Sequence, residues 1–133
     1  MSNNTGPLFL NPVARARGLG AAGEGFHHWW TQRLSSMALV PLSLWFAFTM
    51  ARLAGADLAT VKAFFAGNPC NPALAILFIA IACHHGAAGI EVIAEDYIYC
   101  KTAKLTTIIG VKFLCTLLAT SCIVSILKLA LGA

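Results

Sequence analysis

Three apolar runs, Leu34–Ala51, Pro72–Ala94 and Leu105–Leu127, constrain this chain more than any other feature. Crossing a hydrocarbon core of about 30 Å takes roughly 20 helical residues, so each run is long enough to span a bilayer. Within that layer water cannot satisfy backbone N–H and C=O groups, which leaves helices or closed barrels. Barrel strands alternate apolar and polar residues over about 10 positions, and these runs do not. Composition agrees: 59% of the 133 residues are hydrophobic and 11% charged, where a soluble domain carries about 25% charged residues. The chain reads as an all-α integral membrane protein with three transmembrane helices, over about 32–54, 72–95 and 104–130.

The first run does not read as a cleavable signal, because more than thirty residues precede it. The opening "MSNNTGPLFLNPVARARGLG" has no Arg- and Ser-rich amphipathic character, which favours a bacterial cytoplasmic (inner) membrane over import into an organelle. Arg15, Arg17, Arg33, Lys101 and Lys104 fall on one side of the membrane; Arg52, Lys62 and Lys128 fall on the other. The positive-inside rule then places the N-terminus and the 95–104 loop in the cytoplasm. Residues 1–25 form a polar, glycine-containing tail with too little apolar area to fold alone, so it is either disordered or laid on a partner. It is assigned as a cytoplasmic tail contacting peripheral subunits, and residues 26–133 form the anchor. "FHHWWTQR" (26–33) has the aromatic and basic character of a membrane interface. In the connection after the first run, Asp57 is placed to cap a short helix carrying Leu58, Val61 and Phe65 on one face and ending at Gly67. The five cysteines show no C-x-x-C spacing and read as small apolar residues.

The second run ends in "CHHGAAGIEVIAEDYIYC" (83–100), where ionisable groups enter the apolar layer. At 100° per residue, His85, Gly89, Val92 and Asp96 make one stripe, and His84, Ala88, Glu91 and Glu95 make a second. The adjacent histidines therefore face different surroundings. His85 lies eleven residues before Asp96, about 16 Å of helix rise, and so near mid-bilayer. An imidazole at that depth needs a partner: a hydrogen bond to another helix, or a metal. Gly89, one turn along the same face, would leave room for a porphyrin plane, although helix packing uses glycine equally well. Asp96 and Tyr97 sit at the cytoplasmic boundary, as a helix end and an aromatic belt residue or as groups that hold a carbonyl and deliver protons. A charged Glu91 costs on the order of 2–3 kcal/mol in the apolar region. Lys112 lies at a similar depth on the antiparallel return, and a Glu91–Lys112 pair is expected. Arg33 is either an interface anchor or a charge-assisted donor to an anion such as a propionate or a headgroup phosphate.

Together, "RGLGAAGEGFHHWWTQRLSSMALVPLSLWF" leading into the first run and His85-x-x-x-Gly89 followed by Asp96-Tyr97 resemble the D-type hydrophobic membrane anchor (cytochrome b556 small anchor) of succinate dehydrogenase, respiratory Complex II. The resemblance covers nearly all of the chain after residue 15. It implies a two-subunit haem-binding helical bundle shared with a C-type cytochrome b anchor. His85 would be one axial ligand of the iron of a b-type haem, and the C-type subunit would supply the second. Tyr97 would hydrogen-bond a ubiquinone carbonyl, and Asp96 would tune that tyrosine or relay protons. Arg33, and His27 six residues before it, would lie near the haem propionates. Glu91 departs from the family, which more usually has an uncharged amide there.

The resemblance also implies that this chain holds no catalytic residue of its own. FAD and iron–sulfur clusters would belong to a flavoprotein and an iron–sulfur partner, with membrane lipids around the bundle and no nucleic acid. Rival readings are a quinol:fumarate reductase anchor, a haem-free transporter or proton-relay subunit using His84, Glu91 and Glu95, and a purely structural anchor.

Overall fold

The structure, a computed structural model, describes residues 22–132, with side chains from residue 26 onward. Four helices follow in order: α1 (Ala22–Leu53), α2 (Leu58–Gly67), α3 (Cys70–Tyr97) and α4 (Lys101–Leu131). Of these, α1, α3 and α4 are long and apolar enough to cross a membrane, and no strand occurs among the described residues. The all-α, three-span reading therefore holds. Most of the tail assigned to residues 1–25, with its expected contact to peripheral subunits, lies outside the described residues.

The first helix begins at Ala22, ten residues before the start near 32 set by its apolar run. Hydropathy marks where a helix enters lipid, not where its hydrogen bonds begin. In the interfacial turn Phe26 stacks on Trp29 and Trp30 with centroids 6.3 and 6.4 Å apart, as i,i+3 and i,i+4 neighbours on a helix do. The Arg33 guanidinium lies 4.9 Å from the Trp29 ring centroid, a cation–π contact at the membrane boundary. Pro41 sits inside α1 without ending it. It leaves only the Met37 carbonyl without its helical N–H partner.

The central helix is α3, which packs antiparallel to both α1 and α4. Between membrane helices the usual hydrophobic drive is absent, so close contact depends on small side chains and polar pairs. Most buried positions of α1 and α3 follow that rule, with Ser35 and Thr49 on α1 and Ala75, Ala87, Ala88 and Ala94 on α3; Leu42 of α1 is the large exception. A Phe46–Phe78 stack at 4.5 Å closes the half of the α1–α3 seam nearer α2. Five hydroxyls of α4, on Thr106, Thr116, Thr120, Ser121 and Ser125, donate to the carbonyl four residues earlier at 2.8–2.9 Å. Each is thereby satisfied within its own helix, so α4 can face lipid on most sides.

Short connections set the pairing. Gly55, at φ 77°, makes the left-handed turn after α1. The side chain of Asp57 accepts from Thr60 N–H at 3.1 Å and caps α2. Of the predicted α2 face, Phe65 is buried while Leu58 stays exposed, because α2 touches the bundle mainly through α4 near its C-terminal half. Asn71 Nδ2 donates to Phe64 O at 2.8 Å and ties α2 to the start of α3. At the other end Lys104 Nζ donates to Glu95 O at 2.9 Å, placing a cation at the negative end of α3.

The Thr60 hydrogen bond holds the Asp57 carboxyl below its ordinary pKa range. A depressed carboxylate contributes stability above its unfolded pKa and loses it as pH falls through the lower folded value. Asp57→Ala should therefore speed amide exchange in the first turn of α2 at neutral pH, and the gap from the native chain should close in acid. Asp57→Asn should keep the turn protected throughout.

Candidate functional site

Helical geometry separates the two histidines as the sequence implied. His85 sits on the α1-facing side of α3, half-buried, with Nδ1 2.9 Å from the hydroxyl of the buried Ser35. The same hydroxyl donates to Gln32 O at 3.0 Å. One turn toward the N-terminus of α1, Gln32 Nε2 lies 3.5 Å from His85 O. The ring's Nε2 makes no hydrogen bond among the described residues. His84, by contrast, is exposed and opens onto a separate groove.

That groove, about 1330 Å³, lies between the first turns of α1, the C-terminal half of α3 and the facing part of α4. Its floor is small, with Ala80, Ala87, Ala88 and Ala119. Its walls carry His27, His28, Arg33, His84, Glu91, Glu95 and Lys112, so two of the predicted site residues, His27 and Arg33, gather here with the second stripe of α3. His85, Asp96 and Tyr97 do not line it. Tyr97 is the last residue of α3 and 76% exposed; Asp96 beside it is exposed too, and neither makes a side-chain hydrogen bond among the described residues.

Gly89 differs from its sequence-based role. A Cβ there would meet Gln32 Nε2 at 3.5 Å, an ordinary contact, whereas a Cβ at Gly86 would meet nothing within 4 Å. Gly89 lies in the α1–α3 seam and is covered by an amide of α1, so the open surface beside His85 lies at Gly86. Sequence reasoning also missed Ser35 and Gln32. Their signal was positional: on an antiparallel neighbour they lie at the depth of His85.

The expected Glu91–Lys112 pair is present, with Nζ 2.7 Å from Oε1. Glu91 is the less exposed partner, 19% against 54% for the lysine side chain. Pairing offsets the cost of holding either charge in the apolar region, and it bolts α3 to α4 along the groove.

A bare metal ion has no site here: among the described residues no three His, Cys, Asp or Glu side chains converge. A single histidine suits a metal that arrives with its own equatorial ligands. His85 meets that requirement, with one ring nitrogen held by a neighbouring helix, the other without a partner, and open surface at Gly86.

The chain matches the family described as succinate dehydrogenase/fumarate reductase transmembrane subunit over residues 9–119. It is 30% identical to a succinate dehydrogenase hydrophobic membrane anchor subunit of Rickettsia prowazekii, covering 89% of this chain and 94% of that one. The same identity relates it to such a subunit of Paracoccus denitrificans, over 94% and 95%. A succinate dehydrogenase membrane anchor subunit of Reclinomonas americana is also 30% identical, over 64% and 72%. No solved structure matches it.

Exchanging either member of the ion pair should leave the other charge alone in the apolar region and destabilise the purified complex by on the order of 1–3 kcal/mol. The double variant Glu91→Gln/Lys112→Met should melt at a higher temperature than Lys112→Met alone. Strictly additive losses would exclude coupling between the two.

Proposed function

Because the chain belongs to the succinate dehydrogenase/fumarate reductase transmembrane subunit family, we propose that it anchors a succinate:ubiquinone oxidoreductase, supplies one axial ligand to a haem b and forms part of a ubiquinone site. It is a multi-pass membrane subunit and not a catalyst alone. The reading assigns succinate oxidation to a flavoprotein partner and electron delivery to an iron–sulfur partner, with a C-type anchor completing the bundle. The observation that carries the haem assignment is the Ser35–His85 hydrogen bond. It orients an imidazole and leaves Nε2 with no partner among the described residues. The ring lies at the depth of Ser35, only two residues into α1 from Arg33, and so nearer the edge of the apolar layer than the mid-bilayer position expected from the sequence.

A haem b held there would supply one-electron storage. In this chain His85 would hold the iron. Arg33 and His27, at the cytoplasmic end of α1, are the groups suited to receive its propionates. They open onto the groove with His84 and not directly beside His85, which makes His84 the rival ligand to be tested. Tyr97 and Asp96 stand where α3 leaves the apolar layer, fully available to a headgroup held jointly with partner subunits. The Tyr97 hydroxyl would donate to a quinone carbonyl, and the Asp96 carboxylate would orient that hydroxyl and pass protons from water. Reduction to ubiquinol consumes two protons as well as two electrons, so a site at the aqueous edge suits both the apolar tail and the proton supply.

The first experiment is a reduced-minus-oxidised spectrum of the purified complex. A b-type α band should be lost in His85→Ala and kept in His84→Ala; the opposite pattern would transfer the ligand role to His84. Tyr97→Phe should depress ubiquinone reduction at least tenfold while sparing succinate oxidation by artificial dyes, and equal loss of both would remove Tyr97 from the quinone site.

Orientation is testable through the cysteines. Cys70 and Cys100 are exposed at opposite ends of the bundle, and the Thr102 hydroxyl holds the Cys100 thiol below its usual pKa range, which favours its reactive thiolate. With the N-terminus in the cytoplasm of a bacterial cell, a membrane-impermeant maleimide should label Cys70 in spheroplasts and leave Cys100 untouched. Labelling of Cys100 from outside would invert the topology.

A further inference from the structure

The Ser35 hydroxyl has one proton and two close oxygen or nitrogen neighbours, Gln32 O at 3.0 Å and His85 Nδ1 at 2.9 Å. A carbonyl oxygen only accepts, so the contact with Gln32 is favourable only if Ser35 donates to it. Its single proton is then committed, and the hydroxyl oxygen can meet Nδ1 only as an acceptor. If the proton were turned toward the ring instead, lone pairs of Ser35 Oγ and Gln32 O would face each other at 3.0 Å. Ser35 is 9% exposed, which leaves little access for a water to relieve that repulsion. Both contacts are satisfied together only when Nδ1 carries the hydrogen.

From this we propose that Ser35 is a positioning residue that fixes His85 as its Nδ1–H tautomer and presents the lone pair of Nε2 outward as a ligand. The proposal rests on the haem reading and sharpens it. The carbonyl of Gln32, on one turn of α1, orients the serine; the serine orients the ring on α3; and the ring's free nitrogen then points away from the seam that fixes it. Donation from Nδ1–H makes an imidazole a stronger electron donor to its metal, which favours the oxidised state. It also limits rotation of the ring plane. His84, although exposed on the groove, makes no such hydrogen bond among the described residues, so only one of the adjacent histidines is prepared in this way.

The test uses the assembled complex with Ser35→Thr, Ser35→Cys and Ser35→Ala, reading the haem midpoint potential and the low-spin ferric paramagnetic resonance spectrum. The threonine variant keeps an oxygen acceptor and should match the native complex. The cysteine variant offers a poorer acceptor and should raise the potential, the alanine variant should raise it further, and the resonance positions should move in both. Potentials and spectra unchanged in the alanine variant would overturn the proposal while leaving His85 as ligand. If alanine prevents assembly, the cysteine variant decides in the same way: a raised potential supports the role, and an unchanged one overturns it. A native complex with no b-type signal at all would overturn the haem reading itself.

Discussion

A polar group in hydrocarbon must find its partner within the protein, and the arrangement of this chain follows from that requirement. The backbone meets it by forming helices, and the hydroxyls of α4 meet it by folding back onto their own carbonyls. Two intramembrane groups, His85 and Glu91, find their partners on neighbouring helices and so become the bolts between them. Ser35 joins α1 to α3 through His85, and Lys112 joins α4 to α3 through Glu91. Few large side chains are buried, and these two polar links hold α3 in the middle of the bundle.

The same links divide α3 into two working faces. One carries His85 in the seam with α1, with open surface beside it at Gly86. The other carries His84 and Glu91 on the groove shared by α1 and α4. A 100° rotation between neighbouring residues is enough to give two identical side chains different chemistry. The histidine held by a second helix has one ring nitrogen fixed by Ser35. Its neighbour, in a wide groove, has no comparable restraint.

Much of this was legible in the sequence, for physical reasons. Three spans follow from run length alone, and the separation of His84 from His85 follows from helical periodicity. The Glu91–Lys112 pair follows from counting equal depths along antiparallel helices. The start of α1 was not legible, because "FHHWWTQR" is helical by hydrogen bonding while being interfacial by composition. Nor was the role of Gly89, because a glycine records that space is needed without recording what fills it; here Gln32 does. Ser35 escaped notice because a serine in an apolar run usually bonds its own helix. It does so here, and that internal bond is what commits its proton and frees its oxygen for His85. The proposed quinone role is the least defined by this chain alone: Asp96 and Tyr97 stand exposed at the end of α3 and make no side-chain hydrogen bond among the described residues.

Ligation through a serine-held His85 is open to one direct measurement, an experimental density map of the assembled complex at a resolution that defines side chains. It should show continuous density from His85 Nε2 to a haem iron, with the Ser35 hydroxyl against Nδ1 and His84 turned into the opposite groove. Iron bound to His84, or His85 turned away from any cofactor with its Ser35 contact broken, would contradict it.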